Sequence, residues 1–574
     1  MSLLDLTLQG RSWLSAAVSL VIITIATLLL TLVPIRSDND CWWHVKSGEY
    51  ISANGLPEKD VFAHTAEDYD WHNHEWLTQV AMWKIHDFGE RTSLGGWRML
   101  LLATGIVVWL TMLLFWFLAW QISGNHWIAL WVVLMALGVG RRTYFARPPV
   151  VTNLLLALLI LVLYGVQERG ISRWFLLALP PLFALWSNLH GGWFAGLVVL
   201  SAAGLQNIIH HIQYTRNASL QGPQALFDSP PHPIPWSWLL TIGPGCFFAT
   251  LMNPFTYHLY ALPARVMSKT ELVQNLGELM PPQIPYVTDF VLIIILMIFA
   301  GAVSRKSSRR FAEIFLVVFF FWQAIHHVRH LLLFAVMIVP FMARLLADVV
   351  DQTTALVSSL FQRWGLSLKA VPAVVCLGLL IASAGWSALI ISNRPETETY
   401  INRFQQYREI REGYIKQNFP FHLCNYIELV DFDGKMFNEN NYAGYLIWRL
   451  APERKVFSDP RFDIFGDDIW RDEQVITTGY VPPKGLNDPS WEDLLNQHGV
   501  TYVLARFNTM LDVRLEEDAD WELVADFQNM QYPNGRPIAS KPWRIYILKS
   551  AYPEDFPARA KRLYEGYSAP FVMR

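Results

Sequence analysis

The sequence predicts a mainly α-helical, polytopic membrane protein that carries a C-terminal soluble α/β domain. Three observations lead there. Of 574 residues, 53% are apolar and only 16% are charged, whereas a soluble globular chain carries about 25% charged residues. The deficit is uneven, because long apolar runs fill residues 1–392 while 393–574 has an ordinary mixture. Within that tail, strand-like and helix-like segments alternate, the pattern of an α/β domain. This distribution excludes a disordered chain and a single soluble domain. An outer-membrane barrel would show short alternating strands instead. Four cysteines are too few for a disulfide framework. Cys246 and Cys376 fall in apolar runs, and Cys41 and Cys424 can meet only if the fold joins them. The net charge of −3 gives no reason to expect a nucleic-acid partner.

A bilayer-spanning helix needs about 20 apolar residues, which predicts about eleven spans. They fall at 12–34, 94–120, 126–140, 150–167, 174–188, 192–211, 236–252, 286–303, 311–326, 331–349 and 371–391. The first is too long for a signal peptide and no small-x-small cleavage site follows it. The basic loop Arg305-Lys306-Ser307-Ser308-Arg309-Arg310 sets the orientation, because short basic loops stay in the cytoplasm. Counting outward, the N-terminus is cytoplasmic and the tail is not. The expected domains are a transmembrane domain over 1–392, with a large first outer loop at 35–93, and an extracytoplasmic domain over 393–574. In the tail, 455–459, 501–505 and 544–548 read as strands and 421–430, 442–450 and 491–498 as helices.

With this topology the unusual polar segments gather on the outer face. Asp38 and Asp40 stand just beyond the first span, followed by Cys41, Trp42, Trp43 and His44. A carboxylate at the edge of hydrocarbon is partly desolvated, which raises its pKa and suits it to general-base work. A solvated acid flanked by interfacial tryptophans would leave the same trace. Further on, His72, His74 and Glu75 offer imidazole and carboxylate ligands that, with Asp38, Asp40 or His44, make a divalent metal ion a candidate cofactor. A polar cluster capping a helix that begins near Glu75 is the plainer account. Arg141, Arg142 and Arg147 break the positive-inside tendency, and guanidinium groups at a membrane edge suit phosphate. Arg329 and His330 form a second cationic cluster. Between two spans, Asn188-Leu189-His190-Gly191-Gly192 has glycines that permit a tight turn and close backbone approach. Asn253-Pro254 and Pro281-Pro282 read as helix stops.

Together, Asp38-Asn39-Asp40-Cys41-Trp42-Trp43-His44, Asn73-His74-Glu75-Trp76-Leu77, Arg147-Pro148, Asn188-Leu189-His190-Gly191-Gly192, Asn441 to Trp448 and Val456 to Arg461 resemble a bacterial family of polytopic membrane proteins. That family is related to the GT-C glycosyltransferases, among them the dolichyl-phosphate-mannose protein mannosyltransferases and the lipid A aminoarabinose transferases. The resemblance implies a hexosyltransferase-type enzyme of the inner (plasma) membrane that uses a polyprenyl-phosphate-linked sugar donor. Its acceptor would be a glycan, lipid or protein on the periplasmic face, and membrane lipid is a further expected partner. It also implies that an acid of the first outer loop is the base: Asp40 by its place before the tryptophan pair, or Asp38. His74 and Glu75 would orient that base or bind metal. Arg147 and Arg329, with Arg141, Arg142 and His330, would hold the phosphate, and His190 and Trp43 would line the substrate site. The mannosyltransferases carry adjacent Asp-Glu in this loop, and this chain does not. Two other classes compete with the enzyme: a non-catalytic scaffold with the same fold, and a transporter or lipid flippase, which calls for broken helices or repeats.

Overall fold

The computed structural model describes residues 13–31, 40–140, 144–217, 230–262, 264, 281, 310–363, 419–461, 464–483, 487–528, 530–531 and 542–568. The chain divides into two compact units. One comprises Met1–Ile35, Ile85–Tyr257 and Asn275–Thr397; the other comprises Arg36–Lys84, His258–Gln274 and Glu398–Arg574.

The first unit is helical. Among the described residues, four helices are long and apolar enough to cross a membrane: Gly96–Ser123, Pro149–Arg169, Trp193–Gln213 and Val328–Leu356. Trp13–Leu29, His126–Gly140 and Phe311–His326 are apolar but shorter. The expected span 174–188 is instead a 3-10 turn, Arg173–Ala178, followed by the eleven-residue helix Leu179–Leu189. Pro180 and Pro181 explain the break, because proline is tolerated in a first helical turn and not inside a continuous helix. The expected span 236–252 forms the helix Trp236–Ala249, with Pro244 inside it. Expected spans 286–303 and 371–391 lie outside the described residues.

Lipid gives helices little hydrophobic reason to associate, so polar contacts hold them. Trp116 and Trp109 donate their indole N–H groups to Ser19 and Thr24, each at 3.0 Å. Ser15 Oγ and His126 Nδ1 lie 2.8 Å apart. Two largely buried ion pairs, Arg310–Glu168 at 2.9 Å and Arg344–Glu313 at 2.7 Å, tie neighbouring helices together.

The second unit joins the first polar loop to the tail. Its sheet has the order β1-β2-β4-β3, with β1 Lys435–Phe437, β2 Val500–Arg506, β3 Trp521–Asp526 and β4 Trp543–Leu548. β1 runs parallel to β2, and the other pairs are antiparallel. The strands expected at 501–505 and 544–548 are therefore present. Helices Phe421–Val430, Asn440–Leu450 and Trp491–Gln497 match the three expected in the tail. The last is fixed by a capping box between Ser490 and Asp493. Segment 455–459 is not a sheet strand. Its backbone groups go to the loop instead: Val456 N–H donates to Phe62 O at 2.8 Å, and His64 N–H donates to Val456 O at 2.9 Å.

The loop contributes two helices, Asp40–Asn54 and Trp76–Glu90. Asp40–Asn54 buries Cys41, Trp42, Trp43, His44 and Val45, so Trp42 and Trp43 are core residues and not interfacial anchors. Trp42 packs 4.9 Å from each of Phe419, Tyr445 and Trp448. Cys41 and Cys424 are buried thiols that form no disulfide, and burial raises the Cys424 pKa to about 12.

Candidate functional site

In the second unit, Asp40 opens the helix Asp40–Asn54. A carboxylate in a first helical turn faces unpaired backbone N–H groups and the positive end of the dipole. One turn on, His44 is buried, and the Trp43 ring lies beside it with centroids 3.7 Å apart and planes tilted by 35°. Glu75 stands between two imidazoles: its Oε2 is 3.7 Å from His44 Nδ1, and its Oε1 is 3.7 Å from His74 Nε2. Gln79 Nε2 reaches His44 Nδ1 at 3.2 Å, and Asn73 Nδ2 donates to Gln79 Oε1 at 2.7 Å. The result is a continuous polar chain from Asn73 through Gln79, His44 and Glu75 to His74.

Close backbone packing places that chain. A Cβ on Gly48 would stand 2.0 Å from the Gln79 carbonyl oxygen and 2.9 Å from Trp83 Cβ. Only glycine lets the two loop helices approach this closely. His74 and Glu75 stand out in the sequence, whereas Gln79 does not. Its signal is the spacing Asn73 to Gln79, which puts both amides at the start of one helix.

The loop that joins the two helices is clamped by charge. Arg461 is wholly buried between two carboxylates. Its Nε and Nη2 meet Asp459 at 2.8 and 2.5 Å, and its Nη1 donates to Asp60. The guanidinium also lies 4.7 Å from the ring centre of Trp71 and 5.1 Å from that of Phe62. Asp60 Oδ2 in turn accepts backbone N–H groups of Phe62 and Ala63 at 3.2 and 2.7 Å. Every charge in this cluster is met, as burial requires. Nearby, His64 bonds the Met436 carbonyl at 2.9 Å, and burial pushes its pKa down to about 4.

In the first unit, Arg147 sits just ahead of Pro148 and Pro149 at the start of helix Pro149–Arg169, its guanidinium 5.5 Å from the Phe145 ring centre. His190 caps the helix Leu179–Leu189. Its Nδ1 accepts from Gly192 N–H at 2.9 Å and lies 2.8 Å from Thr152 Oγ1. Nδ1 is thus the acceptor of the ring, and the proton of the neutral form rests on Nε2. The turn glycine serves helix packing: a Cβ on Gly192 would lie 2.2 Å from Thr152 Oγ1. Arg329 and His330 lie in the 3-10 turn Val328–His330, with Arg329 exposed. Asn253 is a turn residue, its Oδ1 accepting Phe255 N–H at 2.8 Å. Asp38, Arg141 and Arg142 lie outside the described residues.

Among the described residues, no group of three or more His, Cys, Asp or Glu side chains is arranged to hold a metal ion. Glu75 stands 3.7 Å from each of the two histidines, one on either carboxylate oxygen.

Neither a family model nor a curated protein matches this sequence. Solved structures do match. The AglB oligosaccharyltransferase of Archaeoglobus fulgidus, in complex with an inhibitory peptide and a dolichol-phosphate, is 14% identical with a TM-score of 0.50; the match covers 86% of this chain and 70% of that one. ArnT from Cupriavidus metallidurans bound to undecaprenyl phosphate is 11% identical with a TM-score of 0.47, covering 93% and 98%. The arabinofuranosyltransferase AftD from Mycobacteria is 12% identical with a TM-score of 0.49, covering 93% of this chain and 40% of its own. At such identities the likeness is one of fold. The protein is a helical membrane protein with a small α/β domain. Its fold is similar to that of the archaeal oligosaccharyltransferase AglB, in line with the fold that the motifs of the loop and tail led one to expect.

Proposed function

We propose that this chain is a membrane glycosyltransferase that moves a sugar from a polyprenyl-phosphate carrier to an acceptor hydroxyl on the outer face of the plasma membrane. The observation that carries this reading is the first loop. It opens one helix with Asp40, and one turn later it buries a histidine against a carboxylate flanked by a second histidine. Asp40, or Asp38 in its place, takes the proton of the acceptor hydroxyl as that oxygen attacks the anomeric carbon. The bond from the anomeric carbon to the phosphate oxygen breaks, and the phosphate departs with the electron pair. Arg147 and Arg329, with Arg141, Arg142 and His330, offset the charge on the leaving phosphate, where guanidinium forks are suited to bidentate contact. His190 lines the substrate site. His44, Glu75 and His74 orient the base, and Trp43 holds the His44 ring.

The test measures release of undecaprenyl phosphate from undecaprenyl-phosphate-linked hexoses by the full chain in liposomes, with cell-envelope glycan as acceptor. Asp40→Asn keeps the shape but cannot take a proton, so turnover should fall by about 10²–10⁴-fold while donor binding persists. Arg147→Lys should weaken donor binding, since it keeps the charge and loses the fork. Unchanged turnover in both Asp40→Asn and Asp38→Asn would leave the loop acids structural and favour the scaffold.

A further inference from the structure

The first unit holds a cavity of about 300 Å³ that the proposed reaction does not use. It lies among the helices Pro149–Arg169, Trp193–Asn217 and Trp236–Ala249 and the turn Arg173–Ala178. Its walls are almost wholly apolar, with Leu163 and Leu176 at its buried side and Ser201 and Phe247 at its exposed side. Two glycines, Gly204 and Gly243, line it, and a Cβ built on either would meet nothing within 4 Å.

The helices around the cavity explain why it exists. Leu179–Leu189 has eleven residues and Trp236–Ala249 has fourteen, so they reach about 16 and 21 Å, well short of a hydrocarbon core of about 30 Å. They meet where Pro180 lies 3.5 Å from the position of a Cβ on Gly245. Two short helices side by side leave part of the bilayer thickness uncovered by protein, a mismatch that must be filled. A cavity of about 150 Å³ holds benzene, so one of twice that volume takes about a dozen carbons. That is a length of alkyl chain.

Beside the cavity stands a polar collar of a recognisable kind. Trp238, from its lining, meets Trp174 edge to face at 5.4 Å. Trp174 is 70% exposed, Phe175 56% and Trp236 42%. Exposed indoles of this sort mark the level of lipid headgroups. At the same end, Arg173 is exposed, Arg169 lies one short turn before it, and His232 packs on Gly170, its Nε2 2.9 Å from where a Cβ would be. Glu168, the acid next to Arg169 in the chain, is paired with Arg310 at 2.9 Å. The collar is therefore cationic.

We infer that this cavity binds one anionic phospholipid, its acyl chain between helices Trp193–Asn217 and Trp236–Ala249 and its headgroup at Arg173 and His232. The lipid completes the membrane-facing wall where the two short helices cannot. This inference stands apart from the proposed glycosyl transfer.

The test is native mass spectrometry of the full chain, delipidated in detergent and titrated with phosphatidylglycerol, phosphatidylethanolamine or undecaprenyl phosphate. Wild type should bind one phosphatidylglycerol, more tightly than phosphatidylethanolamine. Gly243→Leu fills the cavity and should weaken phosphatidylglycerol at least tenfold, the equivalent of about two methylenes no longer buried. Ser201→Trp closes the mouth from its exposed side and should do the same, which guards against a folding defect in the first variant. Arg173→Gln should reduce phosphatidylglycerol binding about fivefold and leave phosphatidylethanolamine unchanged. Wild-type affinity in both cavity variants would overturn the inference, as would equal binding of the two phospholipids. Displacement of phosphatidylglycerol by an equal concentration of undecaprenyl phosphate would also overturn it, since the occupant would then be the carrier.

Discussion

Glu473 offers the sharpest test of how the tail is held together. It is a buried carboxyl in the helix Asp467–Thr477. Its Oε1 accepts Asn440 N–H at 2.8 Å, and its Oε2 lies 2.6 Å from Ser458 Oγ. Burial, aided by Glu439 and Asp459, raises its pKa from 4.5 to about 7. The folded protein therefore holds a proton that the unfolded chain releases near pH 4.5. Stability from this group is complete below about pH 4.5 and is lost as pH rises through about 7. Roughly 2.5 pKa units at 1.36 kcal/mol each make about 3 kcal/mol. Glu473→Gln keeps the geometry of the protonated form: the amide oxygen still accepts from Asn440, and the amide N–H donates to Ser458. The variant should match wild type at pH 5 and exceed it by about 2–3 kcal/mol at pH 8. Hydrogen–deuterium exchange of the intact protein reads this at segments 438–445 and 456–460. Protection in the variant should be about 30–100-fold greater at pH 8, after correction for intrinsic exchange, and equal at pH 5. A difference that is the same at both pH values would refute the titration argument.

Two further substitutions probe the loop. Arg461→Met strands Asp60 and Asp459 in the interior and should cost about 3–5 kcal/mol, seen as a lower thermal midpoint of the full chain; adding Asp459→Asn should recover part of the loss. Gly48→Ala drives a methyl group into the Gln79 carbonyl, so the loop helices must separate at a cost of about 1–3 kcal/mol. Faster exchange in residues 44–52 and 76–83, with the sheet unaffected, is the expected signature.

What could be read from sequence depended on how local each signal was. The β-branched and aromatic runs at 501–505 and 544–548 marked strands that the sheet contains, and both strands are buried along nearly their whole length. Segment 455–459 carried the same pattern for a different reason. Its Val456 is buried because it pairs with Ala63, a partner nearly four hundred positions away. The helix Asp40–Asn54 is hidden from sequence for a related reason: its polar residues give no amphipathic signature, and its burial comes from aromatics of the tail. Around the candidate site, the acids and histidines were visible as types. The link from Glu75 to His44 was not, because the two stand 31 positions apart and the packing of two helices decides it.

The clamp around Arg461 also has a consequence for how this protein is made. Asp60 leaves the ribosome 401 residues ahead of the arginine that neutralises it. At about 5–20 residues per second, the loop waits roughly 20–80 seconds for its partner. Throughout that interval Trp42, Trp43 and Phe62 have no core to enter, and two helices that depend on the tail have nothing to fold against. The first polar loop of this chain therefore matures late, its folding timed by the synthesis of the tail that supplies its core and its counter-charge.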